Sequence, residues 1–159
     1  MLYESSELLP AGLRLQYNRM RVEGFKHTPE KELKNRADSD KLNSIRDHIR
    51  SDKVNKFVNP EKQGRHIRTA NEYAPGRSFI FGDLDAAQAL VDKYHGTGEP
   101  QLDKNGNWKN KEIVKAETDV GVNVDVKSGA ETVTNRFVIH YSGTGTHIVP
   151  TTRERGDAG

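Results

Sequence analysis

Apolar positions are sparse over the first third of the chain and then change period. In TPEKELKNRADSDKLNSIRDHIRSDK, residues 28–53, Leu33, Ala37, Leu42, Ile45 and Ile49 make a thin stripe at helical spacing, with Glu30 and Glu32 in the first turn where acids suit the helix dipole. This predicts a leader to about residue 27, then one or two short helices to about residue 52, with a break near Asp38-Ser39-Asp40. Beyond Arg77 the character changes. RSFIFGD reads as a strand, and DLDAAQALVDKYHGTGEP as a helix capped by Asp83 or Asp85, with Ala86, Leu90, Val91 and Tyr94 on its inner side and Gly96 as its stop. LDKNGNWKN is a turn-rich loop with Asn105-Gly106 at its tip. Four β-branched runs follow, KEIVKAE, VGVNVDV, ETVTNRFVIHYS and THIVPT, separated by short turns. Helices first and an antiparallel meander afterwards predict an α+β fold.

Alternation within the meander sorts its faces. Val120, Val122, Val124 and Val126 share one side; Val133, Phe137, Ile139 and Tyr141 share another, leaving Thr134, Arg136, His140 and Ser142 on a polar face. His147 depends on the turn before it. A two-residue Thr144-Gly145 loop sets it opposite Ser142 on the polar face, and a three-residue loop sends it to the core side.

Composition narrows the chemistry. With 25 Lys and Arg against 23 Asp and Glu, the 159-residue chain carries a formal charge of +2, so no global polycation argument applies. The charge is local: from Lys41 to Arg77 there are nine Lys and Arg against four acids, an excess of five. A hydrophobic share of 33% supports one modest core. The absence of cysteine excludes disulfides, zinc ribbons and thiol nucleophiles. No run of about 18 apolar residues is present, and the first residues lack the pattern of an export signal, so neither membrane embedding nor a signal of its own is expected.

No phosphate loop, HExxH, GxSxG or calcium loop occurs, and no paired carboxylates have glycosidase spacing. His66, His140 and His147 lack the clustered acids of a usual metal site, and no metal or cofactor is expected. What remains is an acid-base site of histidines, cations and hydroxyls. RNA cleavage needs a base for the 2′-OH, an acid for the departing 5′-oxygen and fixed positive charge for the phosphorane between them. His66, bracketed by Arg65 and Arg68, is one half of such a kit, and Thr134, Arg136, His140 and Ser142 are the other. Each has a plainer reading: His140 as a solvated strand residue, Thr134 with Arg136 as an ordinary cross-strand pair. Tyr73 and Trp108 could stack a base, although a tryptophan here also suits a lid over the core. His27, His48 and His95 read as surface residues.

The segments EKQGRHIRTANEYAPGRS and TNRFVIHYSGTGTHIVP resemble the two signature blocks of the polymorphic toxin type 50 domain, a C-terminal module of bacterial polymorphic toxins and of MuF-type phage minor head proteins. The resemblance runs from about Val54 to Arg153. It implies a barnase-like, EndoU-like fold, with N-terminal helices packed on a four- to five-stranded antiparallel sheet, and metal-independent RNA cleavage. It carries over Lys62, Gln63 and His66 from the first block and Thr134, Asn135, His140, Tyr141, Ser142 and His147 from the second. Together with the residue pattern it predicts His66, His140, Thr134 and Arg136 as catalytic, and Lys62, Arg65, Arg68, Tyr73, Arg77, Ser142 and His147 as substrate-binding.

The implied organisation is a polar helical leader or linker from a carrier over 1–53, a toxin ribonuclease domain over 54–153, and a disordered tail over 154–159. The implied partners are an RNA substrate and a cognate immunity protein with an acidic face, the domain being a monomer or a toxin–immunity heterodimer. It would be delivered on a larger protein and act in the target-cell cytoplasm. Two other classes compete. One is a nucleic-acid or capsid-associated binding module without chemistry. The other is an ADP-ribosyltransferase using Arg77, Ser78 and Glu112 or Glu131.

Overall fold

The computed structural model describes residues 29–154, so the readings of the leader up to residue 28 and of the tail from 155 lie outside the described residues. The chain divides into two units at Asp40. In the first, residues 29–40 are exposed helix. Helix α1 runs as one piece from Pro29 to Arg50. The expected break at Asp38-Ser39-Asp40 does not occur: these residues cost only some tenths of a kcal/mol each against alanine, and neither Gly nor Pro interrupts the helix.

The second unit holds two antiparallel sheets. Strands β1 (Phe79–Ile80), β4 (Gly121–Val124) and β5 (Glu131–Thr134) form one, in the order β1-β4-β5. Strands β2 (Glu99–Leu102), β3 (Trp108–Lys115), β6 (Arg136–His140) and β7 (His147–Pro150) form the other, in the order β2-β3-β6-β7. The fold is α+β, as the patterning predicts. The simple meander is corrected, because β3 pairs directly with β6 and the β4–β5 hairpin is inserted between them. Strand β2 escapes the pattern because it contains Pro100, which a sheet tolerates at its edge, where β2 lies.

The run ETVTNRFVIHYS is two strands rather than one. At Asn135 the chain passes from the first sheet to the second; the Asn135 side chain donates to the Ala116 carbonyl at 3.1 Å, while its own carbonyl accepts from the Ala116 amide at 2.7 Å. The crossing resets the alternation, so Thr134 is buried and Val133 is 56% exposed. Val126, expected beside Val122, instead sits in a turn tied by Asp125 and is 87% exposed.

The core is built from Ile49 of α1, Val91 of α3 (Leu84–Tyr94), and Val114, Phe137, Ile139 and Ile148 on the inner face of the four-stranded sheet. Asp83 caps α3 through the Ala86 amide, and Gly96 ends it at φ 73°. Ala87 rather than Ala86 joins Val91 among its buried residues. Buried Glu112 organises the loop that follows. Its carboxylate accepts from the amides of Gly96 (2.7 Å) and Gly98 (3.0 Å) and from the Tyr141 hydroxyl (2.5 Å), while Arg50 and Arg46 donate to the carbonyls of the same two glycines. A Cβ at Gly98 would lie 2.3 Å from the Ile113 carbonyl oxygen, so this approach requires glycine. Among the described residues no helix is long and apolar enough to cross a membrane.

Candidate functional site

Helix α2 (Pro60–Gly64) is one turn long, with Asn59 as its cap and Pro60 at its start. Buried Gln63 pins it to β7, donating to the Ile148 carbonyl at 3.1 Å and accepting from the Ile148 amide at 2.7 Å. The next turn therefore carries His66 to the β7 side of the four-stranded sheet. His66 is 7% exposed, and its Nδ1 lies 2.7 Å from the Ser78 carbonyl oxygen. A carbonyl only accepts, so Nδ1 holds the hydrogen, and Nε2 of the neutral ring is left with its lone pair.

On the outer face of the sheet, register assembles the rest. Lys111 of β3 pairs with His140 of β6, and His140 pairs with His147 of β7; direct cross-strand partners project to the same side. His147 is therefore on the polar face. Neither of the short loops considered above delivers it: residues 141–146 form a six-residue connection, closed by Gly145 N–H to the Ser142 carbonyl and by the Thr146 hydroxyl to the His140 carbonyl. Ser142 belongs to this loop. The rings of His140 and His147 stack at 4.6 Å, 10° from parallel, and His66 extends the stack from His147 at 5.9 Å and 9°.

Cations surround the row. Lys62 Nζ donates to Ser142 Oγ at 2.8 Å and Thr144 Oγ1 at 2.7 Å. Burial pushes His140 down to about 3, helped by His147, Lys111 and His66. Burial likewise lowers His147 to about 4, with His66, Lys62, Arg65 and Lys111 adding repulsion. His66 also lies below the usual histidine range: burial dominates, the Ser78 bond opposes it, and Arg77 and Arg65 add to the lowering. All three imidazoles are neutral at pH 7. An anion placed among them would favour their protonated forms.

The structure thus brings His66, His140 and His147 together, with Lys62, Arg65, Arg77 and Ser142 around them. It leaves out four of the residues predicted as catalytic or substrate-binding, Arg136, Thr134, Arg68 and Tyr73. Arg136 shares the face of His140 but lies four residues back along β6, about 13 Å away, and pairs with Glu154 at 3.5 Å. The buried Thr134 hydroxyl donates to the Thr151 carbonyl and accepts from the Arg136 amide. Arg68 lies over the Phe79 ring at 4.8 Å, and Tyr73 meets the same ring edge-on at 6.3 Å. Trp108 donates to the Lys111 carbonyl and packs against the core as a lid. Glu112, a member of the transferase set, is buried in the core.

Sequence reasoning missed Lys111, Thr144 and the Ser78 carbonyl. For Lys111 the outward position in KEIVKAE was the available signal, but only register sets it beside His140. Near-parallel ring planes do not aim three lone pairs at one point, and among the described residues no group of three or more His, Asp or Glu is placed to hold a metal ion.

Beside the row, between the outer face of the four-stranded sheet and strand β4, lies a cleft of about 300 Å³ that reaches His140 and Lys111. A larger groove of about 860 Å³, containing Trp108, Tyr141, Asp52 and Asp92, meets the site only at Ser142. Its two acids are matched by Lys53 and Lys56, so it lacks the excess of cations that lines the cleft.

Comparison with known families places residues 58–150, more than half of the chain, among bacterial toxin domains. The family is the one described as bacterial toxin 50, and the chain belongs to it. A comparison with curated proteins gives no significant match.

Proposed function

We propose that the domain is a metal-independent endoribonuclease whose acid and base are drawn from the histidine row. The observation that carries this reading is the His66 ring, its tautomer set by the Ser78 carbonyl, stacked in line with His147 and His140 inside a ring of cations. His66 Nε2 takes the proton of a ribose 2′-OH. The 2′-oxygen attacks the adjacent phosphorus, the P–O5′ bond breaks, and the 5′-oxygen takes a proton from the His140–His147 pair. The products are a 2′,3′-cyclic phosphate and a 5′-hydroxyl. Lys62, Arg65, Lys111 and Arg77 offset the charge that accumulates on the phosphorane. The bound phosphodiester raises the pKa of the His140–His147 pair, which takes up from solvent the proton it then donates.

Thr134 and Arg136 act in this scheme as supports of the β5–β6 crossing rather than as catalysts. A toxin of this kind is carried into a target cell on a larger protein, acts in the cytoplasm, and is held in check in the producing cell by an immunity protein whose acidic face covers Arg65 and Lys62. The test is incubation of the purified chain with total RNA in EDTA. Fragments ending in 2′,3′-cyclic phosphate are expected. Intact RNA bound to the protein would instead make the domain a binding module.

A further inference from the structure

The cleft beside the histidine row has a construction of its own. Its floor is a second cross-strand row, Ile113 of β3, Val138 of β6 and Val149 of β7, in direct register. This row lies two residues along each strand from Lys111, His140 and His147, about 7 Å away on the same face. Ile113 is 7% exposed, while Val138 and Val149 are half-buried, so the apolar surface open to the cleft is mainly that of the two valines. They make an apolar floor between polar walls: Asn123 and Gln101, whose Nε2 also donates to the Glu99 carbonyl, line the cleft, as does Ser78, whose carbonyl fixes His66. Lys109, Lys111 and Arg153 also line it, and no carboxylate does.

We propose that this cleft is the nucleoside subsite of the enzyme: it seats the base next to the scissile phosphate on Val138 and Val149, at the rim of the largely buried Ile113, reads its edge through Asn123 and Gln101, and holds the adjoining phosphates with Lys109 and Arg153. The inference rests on the ribonuclease reading. Three features favour a single-stranded RNA over a generic anion. An apolar floor suits a base face rather than a phosphate. The side-chain amides offer both donors and acceptors for a base edge. The cleft opens beside the imidazoles at the spacing of one nucleotide, the distance from a base to its own phosphate.

The test uses the intact chain and single-stranded oligonucleotides with every 2′-hydroxyl methylated, which bind but cannot be cleaved, for each of the four bases. Fluorescence anisotropy is followed against salt concentration. The Lys109→Ala/Arg153→Ala variant, altered only at exposed positions, is expected to bind at least ten-fold more weakly and to flatten the log–log salt slope by about 1.4, about 0.7 for each phosphate contact. Asn123→Ala is expected to change the order of preference among the four bases while keeping the salt slope. If both variants bind as wild type does, or the wild-type chain binds none of the oligonucleotides, the subsite is overturned. Cleavage of unmodified RNA by the same wild-type preparation is scored separately, so a chain that cuts RNA without using this cleft is distinguished from one that does not cut RNA at all.

Discussion

His66 enters the site with one ring nitrogen already committed. The Ser78 carbonyl fixes the tautomer, and burial keeps the ring neutral, so the remaining nitrogen is a base without further rearrangement. Thr134 shows the opposite case. Its residue type suits catalysis, but its hydroxyl is consumed by Thr151 and Arg136 on the buried side of the crossing. Thr134→Val is therefore expected to cost about 1–2 kcal/mol of stability, read by urea denaturation, and to leave RNA cleavage within about two-fold of wild type. A large loss of cleavage in a stable variant would return Thr134 to the site. The polar face of His140 was legible from alternation because Arg136 to His140 is one uninterrupted strand. The side of Thr134 was not, because Asn135 resets the phase between two sheets.

At the scale of elements, the histidines depend on how α2, β6 and β7 are tied together. Gln63 binds α2 to β7 in both directions, and register brings β7 against β6. Behind them Glu112 links β3 to the 96–98 loop, and the loop to α1 through Arg46 and Arg50. Removing this carboxylate leaves two backbone amides and the Tyr141 hydroxyl without their partner. Glu112→Ala is expected to cost about 3–5 kcal/mol, seen as a lowered urea midpoint, whereas a midpoint like that of wild type would show that water replaces the carboxylate at no cost. Helix α3 and its stop at Gly96 could be read directly, and its cap was narrowed to Asp83 or Asp85, of which Asp83 serves. Strand β2 and the β3–β6 pairing could not, since proline masks the first and the second joins segments separated by a whole hairpin.

For the whole molecule, the depressed histidines link folding to pH. The unfolded chain protonates His140 and His147 near pH 6.5, while the folded chain resists until about 3 and 4, so the unfolded state binds more protons in between. Stability is thus full above about pH 6.5 and falls as the pH drops towards 4. A His140→Gln/His147→Gln variant should lose less between pH 7 and 4.5 than wild type in parallel thermal melts; equal losses would mean that the row is already solvated. The α+β class, the local excess of cations and the two histidine-bearing segments were visible in the sequence. Their convergence was not, because it is made by sheet register and by the docking of a single helical turn. The central claim is that this row cuts RNA, and sequencing RNA ends from bacteria expressing the wild-type chain or His66→Ala tests it most directly. The account predicts new 2′,3′-cyclic phosphate ends with wild type and none with a folded His66→Ala chain; the same ends from both would contradict it.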